Sequence, residues 1–266
     1  MLLKINHETR YQYSVPAKYA LQQLRIRPQS NAGQTVHDWT VRLEGATLQT
    51  SFSDEHENLV DLLELQSDEK EVGIIVSGEV ETTNTTGIVG PHSRMMPLWF
   101  YLRQTKLTQP GAQITSLVEG IAKGSRADVA FLHELSERIL ERVTYRSGET
   151  GIATSAEAAM TQGAGVCQDH THIFLSAARA LGIPARYVSG YLMMNDRVDQ
   201  DASHAWAEAH VDGLGWVGFD VSNAISPDER YVQIARGLDY RGAAPTSGFV
   251  VGGEREKLVV SVQVQQ

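Results

Sequence analysis

Gly163-Ala164-Gly165-Val166-Cys167-Gln168-Asp169-His170-Thr171-His172 holds the one cysteine of a 266-residue chain. After it, Ile173, Phe174, Ala177, Ala178 and Leu181 recur at helical spacing, and Gly182 and Pro184 stop the run. The thiol therefore stands where a loop becomes a helix. Unsatisfied N–H groups and the helix dipole favour an anion at that point, and the thiolate is the nucleophilic form of cysteine. The same N–H groups, that of Cys167 included, are placed to hold the oxyanion of a tetrahedral intermediate. Gly163 and Gly165 carry no side chains, which predicts close approach of a substrate backbone. Gly165, Val166 and Gln168 are accordingly candidate substrate or oxyanion residues. A structural cysteine belongs among aliphatic neighbours, and the polar run Gln168-Asp169-His170 points away from that reading.

A thiol nucleophile needs a base and an orienter. Ser203–Val211 and Trp216–Val221 read as the arms of a hairpin turning at Asp212–Gly215. His204 opens one arm and Asp220 ends the other, so both fall at the open end. The arms differ by about three residues, which predicts a bulge or a wider turn. Asp220 is the expected orienter, with Asn223 the alternative, and Trp206 is a candidate for the substrate side. Glu208 reads as a polar lining residue or an ion-pair partner. His170 and His172, with Cys167, His204 and His210, raise the question of a metal. However, offsets of three and five from Cys167 do not share one helix face, and no carboxylate motif accompanies them. No metal and no cofactor are expected. Gly163–Val166 before a helix lacks the Lys-Ser/Thr of a phosphate loop.

Outward from this centre the chain splits into two parts. Leu3, Ile5, Tyr11, Tyr13 and Val15, with His7 and Thr9, form one face of an alternating strand stopped by Pro16. Leu21–Arg27, His37–Glu44, Ala46–Phe52, Leu59–Leu65 and Val72–Glu81 follow at hairpin-like spacing. Six strands with no helix between them predict an antiparallel sandwich over residues 1–90. His7, His37 and His56 read there as ordinary strand or loop residues. Thr82–His92 reads as a linker, and Pro97–Leu102 as aromatic packing between the parts. Residues 91–266 then predict helices over Ala112–Lys123, from a cap at Ser125 through Val143, and over Ala156–Thr161. Strands follow, the last closing the chain with Leu258, Val260, Val262 and Val264. The fold class is α+β.

A formal charge of −9 without a Lys/Arg cluster makes nucleic acid and anionic membranes poor partners. Residues 1–8 hold no apolar stretch of signal-peptide length, so the Asn84-Thr85-Thr86 sequon is discounted. A single cysteine permits no intrachain disulfide, and a cytoplasmic setting is the expectation.

The blocks Gly165–Asp169, Leu181–Tyr191, Ser203–Glu208 and Gly215–Asp220 resemble, in order, the bacterial transglutaminase-like superfamily of candidate cysteine proteases. Ile5–Tyr13 and Leu24–Pro28 resemble the β domain that commonly precedes that core. The resemblance implies a papain-like α+β core and a Cys-His-Asp triad on Cys167, His204 and Asp220. It also implies acyl-enzyme chemistry on a protein or peptide amide, the acyl group passing to water or to an amine. Many relatives have an aromatic residue where this chain has His170, and Pro-Thr-Asn where it has Val221-Ser222-Asn223. Hydrolysis is the favoured outcome here. A protein-glutamine transamidase, or a catalytically silent peptide-binding scaffold of the same fold, are the alternatives.

Overall fold

The computed structural model describes residues 1–65, 70–93, 95–119, 128–195, 198–200, 203–252 and 256–266. The first strands are β1 (Leu2–Tyr13), β2 (Ala17–Arg27), β3 (Gln34–Glu44), β4 (Ala46–Ser53), β5 (Leu59–Leu65) and β6 (Glu71–Thr82). Next come β7 (Ile88–Gly90), a 3-10 turn (Leu98–Leu102), α1 (Ala112–Glu119), α2 (Val129–Arg142), β8 (Thr144–Tyr145), α3 (Ala156–Gln162) and β9 (Ala164–Gly165). The remaining elements are α4 (Cys167–Ala180), β10 (Ala185–Leu192), β11 (Asp199–Gln200), β12 (His204–Val211), β13 (Gly215–Phe219), β14 (Tyr231–Gly237), α5 (Tyr240–Ala243), β15 (Thr246–Gly252) and β16 (Glu256–Gln265).

The period-two pattern of β1 survives folding: Leu3, Ile5, His7, Thr9, Tyr11 and Tyr13 are all buried. That one face serves two cores. Tyr11 and Tyr13 pack with Leu24, Ile26, Leu63, Ile74 and Val76 between two facing sheets, ordered β11-β16-β1-β6-β3 and β15-β2-β5-β4. Leu3 and Ile5, at the other end of the strand, join the helices and the third sheet in a larger core. Between these ends His7 meets the Tyr191 hydroxyl at 2.6 Å and the Thr9 hydroxyl at 2.9 Å. Burial lowers its pKa to about 4, so the imidazole is a neutral tie between β1 and β10.

Two segments sit elsewhere than the sequence predicts. The closing strand β16 pairs along β1 from Lys4↔Gln265 to Tyr13↔Glu256, and β15 pairs with β2. The C-terminal strands thus complete the sheets of the N-terminal part, because they supply the partners β1 and β2 need on their open sides. Ile88–Gly90, predicted as linker, is the edge strand of the third sheet. That sheet is antiparallel, ordered β14-β10-β12-β13-β7. Among the 3-10 turn's aromatics, Phe100 and Tyr101 pack against Trp216, whereas Trp99 is 64% exposed and takes no part in the packing.

The helices cover one face of the third sheet. Phe131, Leu132, Leu135 and Ile139 form the inner stripe of α2, capped by Asp128, whose carboxylate accepts from Phe131 N at 2.9 Å. Such a cap contributes about 1 kcal/mol. The predicted cap Ser125, and the predicted extension of α1 to Lys123, lie outside the described residues. α4 is buried nearly all round and lies over β12, where Ala205, Ala207 and Ala209 face it. Three alanines in register keep the helix close to the sheet, which fixes the position of its N-terminus. Among the described residues no helix is long and apolar enough to cross a membrane.

Candidate active site

The cysteine turn is built by local rules. α3 ends at Gly163, whose φ of 72° is a left-handed C-cap that favours glycine. The chain then forms β9, parallel to β8 through Thr144↔Ala164 and Tyr145↔Gly165, and enters α4 at Val166. Asp169, in the first turn, reaches back so that its Oδ2 accepts from Val166 N at 2.8 Å and from Thr150 Oγ1 at 2.6 Å. A Cβ on Gly165 would lie 2.7 Å from Asp169 Cβ. The space freed at Gly165 is therefore filled by Asp169 rather than left for a substrate. The Val166 N–H is spent on the same carboxylate, whereas the N–H groups of Cys167 and Gln168, in the first turn, have no intrahelical acceptor. Cys167 and Gln168 are half-buried.

His204 begins β12, and its Nε2 lies 2.6 Å from Asp220 Oδ2. The other side of the ring is within hydrogen-bonding reach of Cys167. The bulge expected in the hairpin is absent: β12 and β13 pair regularly from Ala207↔Phe219 to Val211↔Gly215. That register sets Asp220 across from Trp206 and diagonal to His204, on the same face, which is within reach of side chains this long. Asp220 is then turned out of the strand by a bridge to Ile225, with N–H···O distances of 2.8 and 3.2 Å.

The carboxylate is held by more than the imidazole. Asp220 Oδ2 also accepts from Asn223 Nδ2 and from the Tyr231 hydroxyl, each at 2.7 Å, and Oδ1 accepts from Asn223 N at 3.2 Å. Asn223 thus orients the orienter. Tyr231 is the residue that the sequence reading missed, because nothing in its local pattern ties it to a residue eleven positions earlier. Burial would raise the Asp220 pKa, but the bonds and charge of His204, with those of Asn223 and Tyr231, outweigh it and lower the value. Burial likewise disfavours the His204 imidazolium. The hydrogen bonds to Asp220 and Cys167, with their charges, override it and push His204 up to about 10. The arrangement favours a proton on His204 beside an acidic sulfur.

Trp206 and Tyr231 frame the imidazole, with ring centroids 6.4 and 6.0 Å away. Gly190 clears the way for this wall, since a Cβ there would meet Val232 O at 2.1 Å and Trp206 Cη2 at 2.7 Å. The other histidines are accounted for separately. His170 lies 3.0 Å from Val143 O, which only accepts, so Nε2 carries the proton and Nδ1 accepts from Ser222 Oγ at 2.9 Å. The two departures from the relatives' pattern, His170 and Ser222, are therefore bonded to each other. His172 is fully buried and its Nε2 accepts from Tyr240 N at 3.1 Å. Among the described residues no three of His, Cys, Asp and Glu gather as metal ligands would.

Comparison with known proteins agrees with this layout. Residues 115–221 match the transglutaminase-like superfamily core, and residues 3–81 match the bacterial transglutaminase-like N-terminal region. The chain belongs to the transglutaminase-like superfamily, a family of cysteine-based enzymes. An uncharacterized protein of Mycobacterium leprae is 29% identical over 98% of both chains. One from Mycobacterium tuberculosis is 36% identical over 57% of this chain and 53% of its own. Among solved structures, a candidate cysteine protease from Cytophaga hutchinsonii superposes with a TM-score of 0.78 at 22% identity, over 100% of this chain and 90% of that one. That likeness establishes the fold.

Proposed function

We propose that the protein is a cysteine acyl-transfer enzyme acting on peptide or side-chain amides, with Cys167 as nucleophile, His204 as acid–base and Asp220 as orienter. The observation that carries this reading is the bonding of His204, with Nε2 fixed on Asp220 and the opposite side of the ring turned to a thiol at a helix N-terminus. His204 takes the thiol proton, and the thiolate attacks the amide carbonyl carbon. The oxyanion is met by first-turn N–H groups, that of Cys167 first. The imidazolium, kept charged by Asp220, gives its proton to the leaving amine as the C–N bond breaks and a thioester forms. A water then loses a proton to His204 and attacks the thioester, the acid departs, and the proton returns to sulfur.

Hydrolysis is favoured over transfer to an amine, and no metal is assigned a role. Incubation of the protein with glutamine-bearing peptides tests both points. Release of amine or ammonia with no incorporation of a fluorescent amine is the expected result, and Cys167→Ala abolishes it. Efficient amine incorporation would make the protein a transamidase instead. Partner binding that survives Cys167→Ala, with no turnover in wild type, would make it a scaffold.

A further inference from the structure

Trp206 and Tyr231, which frame His204, also line an open recess between the third sheet and the N-terminal strands, of about 470 Å³ with the solvent at its mouth included. Its walls come from both parts of the chain: Asn31, Gln34, Thr83 and Thr85 on one side, Glu208 and Gln233 on the other. No Lys, Arg or His lines it.

The hydrogen bonding of these walls is lopsided. Gln34 Nε2 donates to Gln29 O and Gln233 O, both at 2.9 Å. Asn31 Nδ2 donates to Gln233 Oε1 at 3.2 Å, and Gln233 Nε2 to Glu208 Oε1 at 2.7 Å. The amide donors are thus spent on neighbours. The acceptors are not. Glu208 Oε1 and Oε2 each take one bond, from Gln233 and from Arg186, and each oxygen has capacity for two. The side-chain oxygens of Gln34 and Gln233 are each half-used in the same way. Asp228 also lines the recess, but Arg230 closes it off from both sides. Surplus acceptors beside two aromatic rings suit a group that only donates and carries positive charge. The chain's net charge of −9 favours the same ligand at long range.

We propose that this recess is a subsite for a primary alkylammonium group, one layer of side chains from the catalytic histidine. The inference rests on the acyl-transfer reading of the triad. The ammonium belongs either to a lysine-type side chain near the reacting amide or to a free amine that resolves the thioester. In both cases the N-terminal strands contribute substrate contacts through the loops at Asn31 and Thr83.

Isothermal calorimetry tests the subsite without turnover, using wild type and Cys167→Ala. The probes are cadaverine, Nα-acetyl-lysine methylamide, its norleucine counterpart and pentanoate. Cadaverine is expected to bind in the millimolar range, and the neutral and anionic probes are expected to give no heat. Binding of the lysine amide as well assigns the recess to a substrate side chain, whereas binding of the diamine alone assigns it to the free amine. Thr83 is exposed, and Thr83→Lys at the rim should weaken cadaverine binding about 10-fold with an unchanged melting curve. Glu208→Gln should weaken it similarly, and Thr83→Lys stands alone if that buried variant does not fold. Equal binding of norleucine and lysine amides, unchanged affinity in Thr83→Lys, or no heat with either cation would overturn the proposal. Binding in Cys167→Ala is read separately from chemistry, so failure of the triad and failure of the subsite are distinguishable.

Discussion

His204 and Glu208 sit four residues apart on one face of β12, and each makes a buried contact of 2.6 Å with an opposite partner. Neither distance nor burial separates the two pairs. Saturation does. Glu208 is held by Arg186 and Gln233, and the Arg186 guanidinium is itself laid over the Trp216 ring at 4.1 Å. Both partners of that ion pair are fixed by neighbours that do not react. In the other pair Asp220 is equally well held, by His204, Asn223 and Tyr231. His204, however, turns its remaining side to a half-buried thiol. One pair is closed by its neighbours and the other is left open toward a nucleophile, which is the difference between holding a fold and performing chemistry.

The comparison predicts opposite failures. Cys167→Ala and His204→Ala should reduce amide turnover by about 10³-fold or more while leaving the thermal transition nearly intact. Arg186→Met should do the reverse. It strands the Glu208 carboxylate in the interior and costs about 3–5 kcal/mol in chemical denaturation, with turnover per folded molecule retained. The double variant Arg186→Met/Glu208→Leu should recover most of that loss. If Arg186→Met instead lowered turnover as severely as His204→Ala, the division between the pairs would collapse.

Asp220→Asn comes next in size, with an expected loss of about 10²- to 10⁴-fold, because the amide neither charges nor orients the imidazole as a carboxylate does. Nuclear magnetic resonance should then show His204 titrating well below about 10. Stability should follow the same group. The folded value lies above the model value of 6.5, so the stabilisation from the His204 proton is complete below pH 6.5 and is lost as pH rises through about 10. Melting temperatures taken from pH 6 to pH 10 should fall in wild type and flatten over that window in His204→Ala.

The smallest effect sharpens the account most. Tyr231→Phe removes one of the donors sharing Asp220 Oδ2, for a loss of about 5-fold in turnover. With fewer donors the carboxylate is more basic, so His204 should titrate higher than in wild type, not lower. A downward shift would assign Tyr231 a packing role only.

Much of the centre was legible because its signals are local. The αL glycine, the helix period after Cys167 and the alternation of β1 each follow from a few consecutive residues. Cys167, His204 and Asp220 could be placed at a helix start and at the ends of two strands by the same means. What escaped depends on register and on distant pairing. The diagonal of Asp220 against His204 replaces the expected bulge, and the Tyr231 hydroxyl arrives from a strand beyond the hairpin. The relay Asn31–Gln233–Glu208 joins residues some two hundred positions apart. The β1–β16 pairing closes nearly the whole chain. Gly165 shows a subtler limit: the sequence marks where a side chain is forbidden, but not which neighbour forbids it.

The central claim is that His204, held by Asp220, activates Cys167. Its most direct test is the rate of Cys167 alkylation by iodoacetamide from pH 6 to pH 9, in wild type and His204→Ala. Wild type should react at pH 6 within about 10-fold of its rate at pH 9, whereas His204→Ala should slow at least 100-fold over the same interval, as a thiol without a base does. Parallel profiles in the two proteins would contradict the claim.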